Sequence, residues 1–315
     1  MSDREWLTPQ DEADWLAMRR QDVTSTQVSA LFGLSPYMTL FELYHLHASG
    51  IELPFEETAR MAVGKRMEAF AAEDAANARG WVSKPLKDYC RLTSARMGSS
   101  FDWLAYAPEG LTLIEVKAVD PWRHRDLWVD DQAPEHIELQ VQHQMHVSGI
   151  KRALIVVHTS IYDRHEYERE YDPEVGAALE KRVRKFWRMV DAREEPDPDY
   201  ARDEDVIKAL YPNSDGEPMD ATSDLDFAAA VARFERAKAV EKEAKEEKEA
   251  ARAEIWDRME TAPLAFTDDH RVSAKWTKGS EGRVITEADV GTVINARQPF
   301  RRLDVKNLKP KGDDE

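Results

Sequence analysis

The sequence predicts an α/β fold, and three observations carry that expectation. FDWLAYA (101–107) and LTLIEVKAV (111–119) read as two strands joined across a Pro108-Glu109-Gly110 turn. ALIVVH (153–158) is a near-continuous apolar run, the pattern of a central buried strand. Helical patterns over 59–79, 135–148 and 173–190 surround these runs.

Taken in chain order, DEADWLAMRR (11–20) reads as a helix with Trp15 and Met18 on one face. Val23–Thr26 then offers an N-cap region for a helix, TQVSALFG, closed by Gly33. Leu34-Ser35-Pro36-Tyr37 is a turn, and Thr39–Tyr44 begins another helix. ARMAVGKRMEAFAAEDAANAR (59–79) is amphipathic, with Met61, Met67 and Phe70 on its apolar side, and Gly80 ends it. Trp81-Val82 and Cys90–Ser94 read as strands leading to the hairpin. Beyond Lys117, Pro121–Pro134 is Trp- and Arg-rich and loop-like, and Trp122, Arg123, Arg125 and Trp128 are of the types that stack on bases and contact phosphates. Glu135–Ser148 is a helix closed by Gly149, in which Gln140 and Gln144 share a face at i, i+4. The helix over 173–190 presents Val175, Leu179, Val183, Phe186, Trp187 and Val190 as its apolar side.

Asp191–Ser223 is rich in Pro, Asp and Glu and reads as a linker holding a short helix near Asp205–Leu210. Asp224–Glu260 looks like one long helix whose middle is nearly all charge and alanine, with Glu-to-Lys pairs at i, i+4. Its apolar stripe is thin, as in a solvent-exposed helix or one strand of a weak coiled coil. The tail then alternates as short strands: Arg271–Thr277, a turn at 279–282, Arg283–Thr286 and Arg301–Val305.

Bulk properties narrow the function. A chain of 315 residues with 42% hydrophobic content and nine Trp is globular, with a length prior of about two domains. No apolar run approaches the ~20 residues of a membrane span, and the acidic, polar start MSDREWLTPQDEADW is no signal peptide. The single Cys90 excludes a disulfide framework and a Cys-ligated zinc or iron–sulfur site, so a cytoplasmic protein is expected. A net charge of −17 argues against a generic nucleic-acid binder. The acidic excess is nevertheless local, at 191–204 and the C-terminal end, while 181–185 and Arg301-Arg302 are basic.

The chemistry concentrates in the hairpin. Asp102 lies at hairpin distance from Glu115, and Glu115 and Lys117, at i and i+2, face the same side of one strand. An isolated Glu-x-Lys is ordinarily one exposed face of a half-buried sheet. Here both charges interrupt an apolar run, and buried charge needs a metal, a partner or an edge. Two converging carboxylates beside an ammonium suit a hard cation such as Mg²⁺ and metal-assisted phosphodiester hydrolysis. His136, His143 and His146 offer a zinc alternative, but no cysteine is near them to complete a structural site. Neither a nucleophile elbow nor a P-loop motif is present.

Four blocks in order, WLAMRRQDVTSTQVSALFGLSPYMTLFELY (15–44), GKRMEAFAAEDAANARGW (64–81), Asp102 to Glu115-Val116-Lys117, and HIELQVQHQMHVSG (136–149), resemble the YqaJ-type viral recombinase, lambda exonuclease-like branch of the PD-(D/E)XK nuclease superfamily. The likeness spans about half the chain, and Phe101 stands where the superfamily's name-giving Pro would be. It implies a restriction-endonuclease-like core, a mixed central sheet flanked by helices, over 1–192. An acidic Pro-rich linker (193–223), a long charged helix (224–262) and a small β-rich region (263–315) would follow. By resemblance, Asp102, Glu115 and the Val116 carbonyl hold Mg²⁺, with Mn²⁺ able to substitute, and Glu68 is a candidate third carboxylate. Lys117 activates water, Gln140 supports the centre, and Arg19 and Thr26 bind a terminal DNA phosphate. The implied function is a metal-dependent DNA exonuclease at duplex ends, 5′ to 3′, in phage-type recombination. A single-strand annealing protein would be its partner, a ring-shaped homo-oligomer its form, and the cytosol of a phage, prophage or bacterial host its location. The alternatives are a structure-specific or nicking endonuclease on the same core, and a non-catalytic DNA-binding scaffold.

Overall fold

The computed structural model describes residues 3–54, 57–160, 162–213, 216–277, 300–301 and 304–307. Its contacts divide the chain into two units, Met1–Asp215 and Gly216–Glu315.

The first unit opens with β1 (Arg4–Leu7), α1 (Glu12–Arg19) and β2 (Val23–Thr24). Asp11 caps α1 by accepting from the Asp14 N–H. The helix expected after Thr26 is instead a short 3-10 turn, Val28–Phe32, closed by Gly33 at φ 71°. Its N-cap position is Gln27 and carries no side-chain cap. Thr24 and Thr26 are thereby left for other contacts. Helix α2 (Leu40–Ala48) is capped by Thr39 and α3 (Ala59–Ala78) by Thr58. Strands β3 (Val82–Pro85), β4 (Tyr89–Leu92) and β5 (Met97–Ser99) follow. Pairing in the order β1-β4-β5-β2 makes a four-stranded sheet.

The expected hairpin forms. Strands β6 (Trp103–Ala107) and β7 (Gly110–Ala118) pair antiparallel from Ala107 opposite Gly110 to Trp103 opposite Ile114. One step further in that register sets Asp102 opposite Glu115. Pro121–Leu127 is a helix, α4, where a loop was expected; Pro121 opens its first turn, a position that wastes no backbone donor. After α5 (Glu135–Ser148), β8 (Arg152–Ser160) lies parallel to β7, and β9 (Asp163–Glu170) returns antiparallel. The result is a mixed five-stranded sheet, β3-β6-β7-β8-β9, with β7 at its centre.

Both faces of that sheet are covered. Along β8, Ala153, Ile155 and Val157 join the large core that also holds Val141 and Met145 of α5, while Leu154 and Val156 face α3. Helix α3 buries Ala71, Ala72, Ala75 and Ala76 against Trp103, Ile114, Leu154 and Val156. Met61 and Phe70, expected on the buried side, are 41% and 50% exposed. Alanines let the helix backbone approach a sheet that already carries bulky side chains, so the tight face is the one without long residues. Helix α6 (Pro173–Ala192) buries Leu179, Val183, Phe186 and Trp187 as expected. Helix α7 (Glu204–Leu210) closes the unit, and before it the buried Asp203 accepts from the Thr39 hydroxyl at 2.6 Å.

The second unit contains the expected long helix, α8 (Leu225–Met259), capped by Asp224 and exposed along most of its length. Strands β10 (Leu264–Phe266), β11 (His270–Ser273), β12 (Trp276–Thr277), β13 (Phe300–Arg301) and β14 (Asp304–Asn307) follow, and Met259, Val272 and Ala274 form a small core. The strand expected over Arg271–Thr277 is two short strands. The expected turn at 279–282 and strand at Arg283–Thr286 lie outside the described residues. No described helix is long and apolar enough to cross a membrane.

Candidate active site

The site is built on the middle of β7. Alternation turns Glu115 inward, where only 3% of its surface is exposed, and Lys117 lies two residues along on the same face. Glu115 is fully engaged. Its Oε1 accepts from Lys117 Nζ at 2.5 Å and from Gln140 Nε2 at 2.6 Å, and its Oε2 accepts from Gln144 Nε2 at 2.7 Å. Lys117 also donates to Gln140 Oε1 at 3.1 Å. Asp102 sits across the hairpin and accepts from the Val116 N–H at 2.8 Å. Helix α3 crosses β7, with the Gly64 backbone beside Ala118, and this brings Glu68, one turn on, into the field of Glu115 and Lys117.

Electrostatics define what the group lacks. Burial pushes the Asp102 carboxyl well above the usual range, and Glu115 adds to the shift. Burial and the same Glu115 charge raise Glu68. Burial opposes the charge on Lys117, but Glu115 and Asp102 outweigh it and leave its pKa raised, so the amine rests as an ammonium. Three acids therefore surround one cation, and two of them are held toward protonation. Among the described residues no three His, Cys, Asp or Glu side chains form a ready-made metal cage. Mg²⁺ does not require one, since it is commonly held by one or two carboxylates with waters and substrate phosphate. Gln144 Oε1 adds a buried oxygen with no partner among the described residues. A hard cation with its waters fits this oxygen-rich donor set.

Arg19 and Thr26 are brought together some distance along the chain from β7. Arg19 Nη2 donates to the Thr26 hydroxyl at 3.3 Å, Thr24 and Thr26 Oγ1 are 3.2 Å apart, and the guanidinium lies 4.5 Å from the Trp15 ring centroid. Burial lowers the Arg19 pKa, and among the described residues no carboxylate pairs with it. A partly buried arginine without a counter-ion, beside two hydroxyls, is suited to an anion. The segment leading into Asp102 ties this pair to the carboxylates: Ser99 donates to Ser25 Oγ at 3.0 Å, Trp15 Nε1 donates to Ser100 Oγ at 2.7 Å, and Gln144 also reaches Ser100 O at 3.4 Å.

The site residues lie within a stretch that matches a family model. Residues 14–151 fit the family model of the YqaJ-like viral recombinase domain. Residues 14–151 are thus similar to a YqaJ-like viral recombinase domain. All the residues above, from Trp15 to Gln144, fall within it. The chain is also similar to an alkaline exonuclease from Laribacter hongkongensis, at 22% identity and a TM-score of 0.48 over 57% of this chain and 93% of that one. A complex of that exonuclease with dAMP aligns at 19% identity, TM-score 0.47, over 64% of this chain and 98% of that one. A phage-related exonuclease from Haemophilus somnus aligns at 18% identity, TM-score 0.39, over 59% and 90%. No curated protein matches the chain.

Other candidates in the YqaJ-like domain fare differently. Gln144 was legible only as the i+4 companion of Gln140, yet it holds the second oxygen of Glu115. The histidines of α5 do not converge on a metal: His143 is buried with its Nε2 against Gly98 O at 3.1 Å, and burial drops its pKa to about 3. His146 instead meets Tyr171 and Glu180. Trp128 is packed in the core against Tyr167, which removes it as a stacking surface, whereas Trp122 is exposed. Burial pushes the Cys90 thiol up to about 12, so it is inert.

Proposed function

We propose that the protein is a metal-dependent DNA exonuclease that hydrolyses phosphodiester bonds at duplex ends. The observation that carries this reading is the convergence of Asp102, Glu115 and Lys117 on β7, joined through Ser99 and Ser100 to the Arg19–Thr26 anion seat, inside a YqaJ-like domain.

Asp102, Glu115 and the Val116 carbonyl would hold Mg²⁺ or Mn²⁺, with Glu68 as a further carboxylate. The ion would supply a bound water of lowered pKa and offset the charge of the phosphate. The chain's own residues do the rest. Lys117, kept as an ammonium, orients the attacking water by hydrogen bonding and stabilises charge developing on the phosphoryl oxygens. Gln140 and Gln144 fix both Glu115 oxygens, so the carboxylate meets the substrate already oriented. Arg19 and Thr26 receive the terminal phosphate and so set which bond reaches β7. A seat for a 5′ phosphate gives 5′ to 3′ polarity and leaves a 3′ single strand for an annealing partner. A ring-shaped homo-oligomer would keep the enzyme on its substrate.

Short duplexes that differ only in a 5′ phosphate or a 5′ hydroxyl test the seat. The phosphorylated end is expected to be degraded ~10-fold or more faster, given the strength of charge-assisted arginine contacts. Arg19→Ala should erase the difference. Equal rates on both ends in the unaltered protein would remove Arg19 and Thr26 from the mechanism.

A further inference from the structure

Helix α6 presents two unlike faces. Leu179, Val183, Phe186 and Trp187 are buried, while Lys181, Arg182, Arg184, Lys185 and Arg188 are all exposed. Lys181, Arg184, Lys185 and Arg188 follow the i, i+3, i+4, i+7 spacing and so share one stripe. A shallow groove of about 310 Å³ runs beside it, lined by Ala177, Glu180, Lys181, Arg184 and Arg188.

The charge on this stripe is poorly balanced. Glu180 pairs with Arg184, whose guanidinium is also held by Ser94 O at 2.7 Å. Among the described residues no carboxylate pairs with Lys181, Lys185 or Arg188. In a chain of net charge −17 such a stripe is unexpected as mere solvation. Its placement also matters. Arg182 lies over the Phe32 ring at 5.1 Å, and Phe32 ends the 3-10 turn that starts just after Thr26. The basic helix therefore packs against the turn that follows the anion seat in the chain.

We propose that the outer face of α6 is a docking track for the phosphate backbone of duplex DNA, which rests on the reading of DNA as substrate. The four cations cover about 10 Å of helix, over which a duplex offers about six phosphates. The helix's aromatics, Phe186 and Trp187, are buried in its other face. Without an exposed ring the track reads backbone charge rather than stacked bases, which selects the duplex over the single-stranded product. It holds the body of the DNA while the seat and β7 act on its end.

The test measures duplex binding by fluorescence anisotropy in EDTA, so that no cleavage occurs, over a series of salt concentrations. It compares the full chain with the triple variant Lys181→Gln/Lys185→Gln/Arg188→Gln and the conservative Lys181→Arg/Lys185→Arg. Three lost phosphate contacts should flatten the slope of log K against log salt by about 2.7, and the arginine variant should keep the original slope. At saturating DNA the triple variant's single-turnover cleavage rate should be unchanged. An unchanged slope in a folded triple variant overturns the track and leaves the exonuclease reading intact. An unchanged slope with lost binding to poly-glutamate would assign the face to an acidic protein and likewise overturn it. If the full chain binds no duplex, the substrate reading fails and the track fails with it.

Discussion

Glu115 takes three hydrogen bonds, from Lys117, Gln140 and Gln144, and each donor can be removed separately. Lys117→Ala removes the ammonium and should lower kcat by ~10²-fold or more, in line with the loss of a transition-state donor. Gln144→Ala frees only one carboxylate oxygen and should cost ~10- to 100-fold, with metal affinity falling alongside. Near wild-type kcat in both variants would contradict the site. The acids make a pH prediction. The native state holds the Asp102 and Glu68 protons more tightly than an unfolded chain does. Their ionisation therefore lowers stability as pH rises from the usual carboxylate range through the raised native values. A divalent cation held by these acids would favour their ionised forms and relieve this, so Mg²⁺ should raise Tm more at about pH 8 than at about pH 5. A shift independent of pH would detach the ion from these acids. The meeting of Glu115 and Lys117 on one strand face was legible because charges in an apolar run demand a reason, and Asp102 was legible as an acid at hairpin distance from them. Gln144 was not, since a glutamine on a helix carries no such signal until its partner is in place.

At the scale of elements, the apolar runs of β7 and β8 were plain, and the Pro108-Glu109-Gly110 turn marked the hairpin. Short strands were not. β1, β2 and β5 are four, two and three residues long, too short for a period to show. β9, DRHEYERE, is an edge strand with only Tyr167 buried, and its charges conceal it. The face of α3 was misassigned because size was taken for burial. Phe70→Ala should therefore change stability by less than ~0.5 kcal/mol, as for other surface changes. Gly98→Ala should cost ~1–3 kcal/mol, because an added Cβ would lie 1.7 Å from the Tyr89 hydroxyl and 2.8 Å from Asp22 Oδ2. Tyr89 is fully buried and donates to Asp22, so it has nowhere to move. Thermal melting of the two variants checks both. Equal Tm losses would show that the assigned faces are wrong.

At the scale of the molecule, composition revealed the long charged helix α8, because it is a property of counts rather than contacts. It could not reveal that Arg19 lies beside the Thr26 hydroxyl, or that four cations line one exposed stripe of α6. The central claim joins these parts: a metal-dependent centre on β7 acting only at DNA ends. The most direct measurement incubates the purified protein with end-labelled linear duplex and covalently closed circular DNA, with Mg²⁺ or with EDTA. Loss of the linear DNA in Mg²⁺ alone, with circles left intact, is the predicted result. Cut circles would make it an endonuclease on the same core, and no change in either DNA would contradict catalysis altogether.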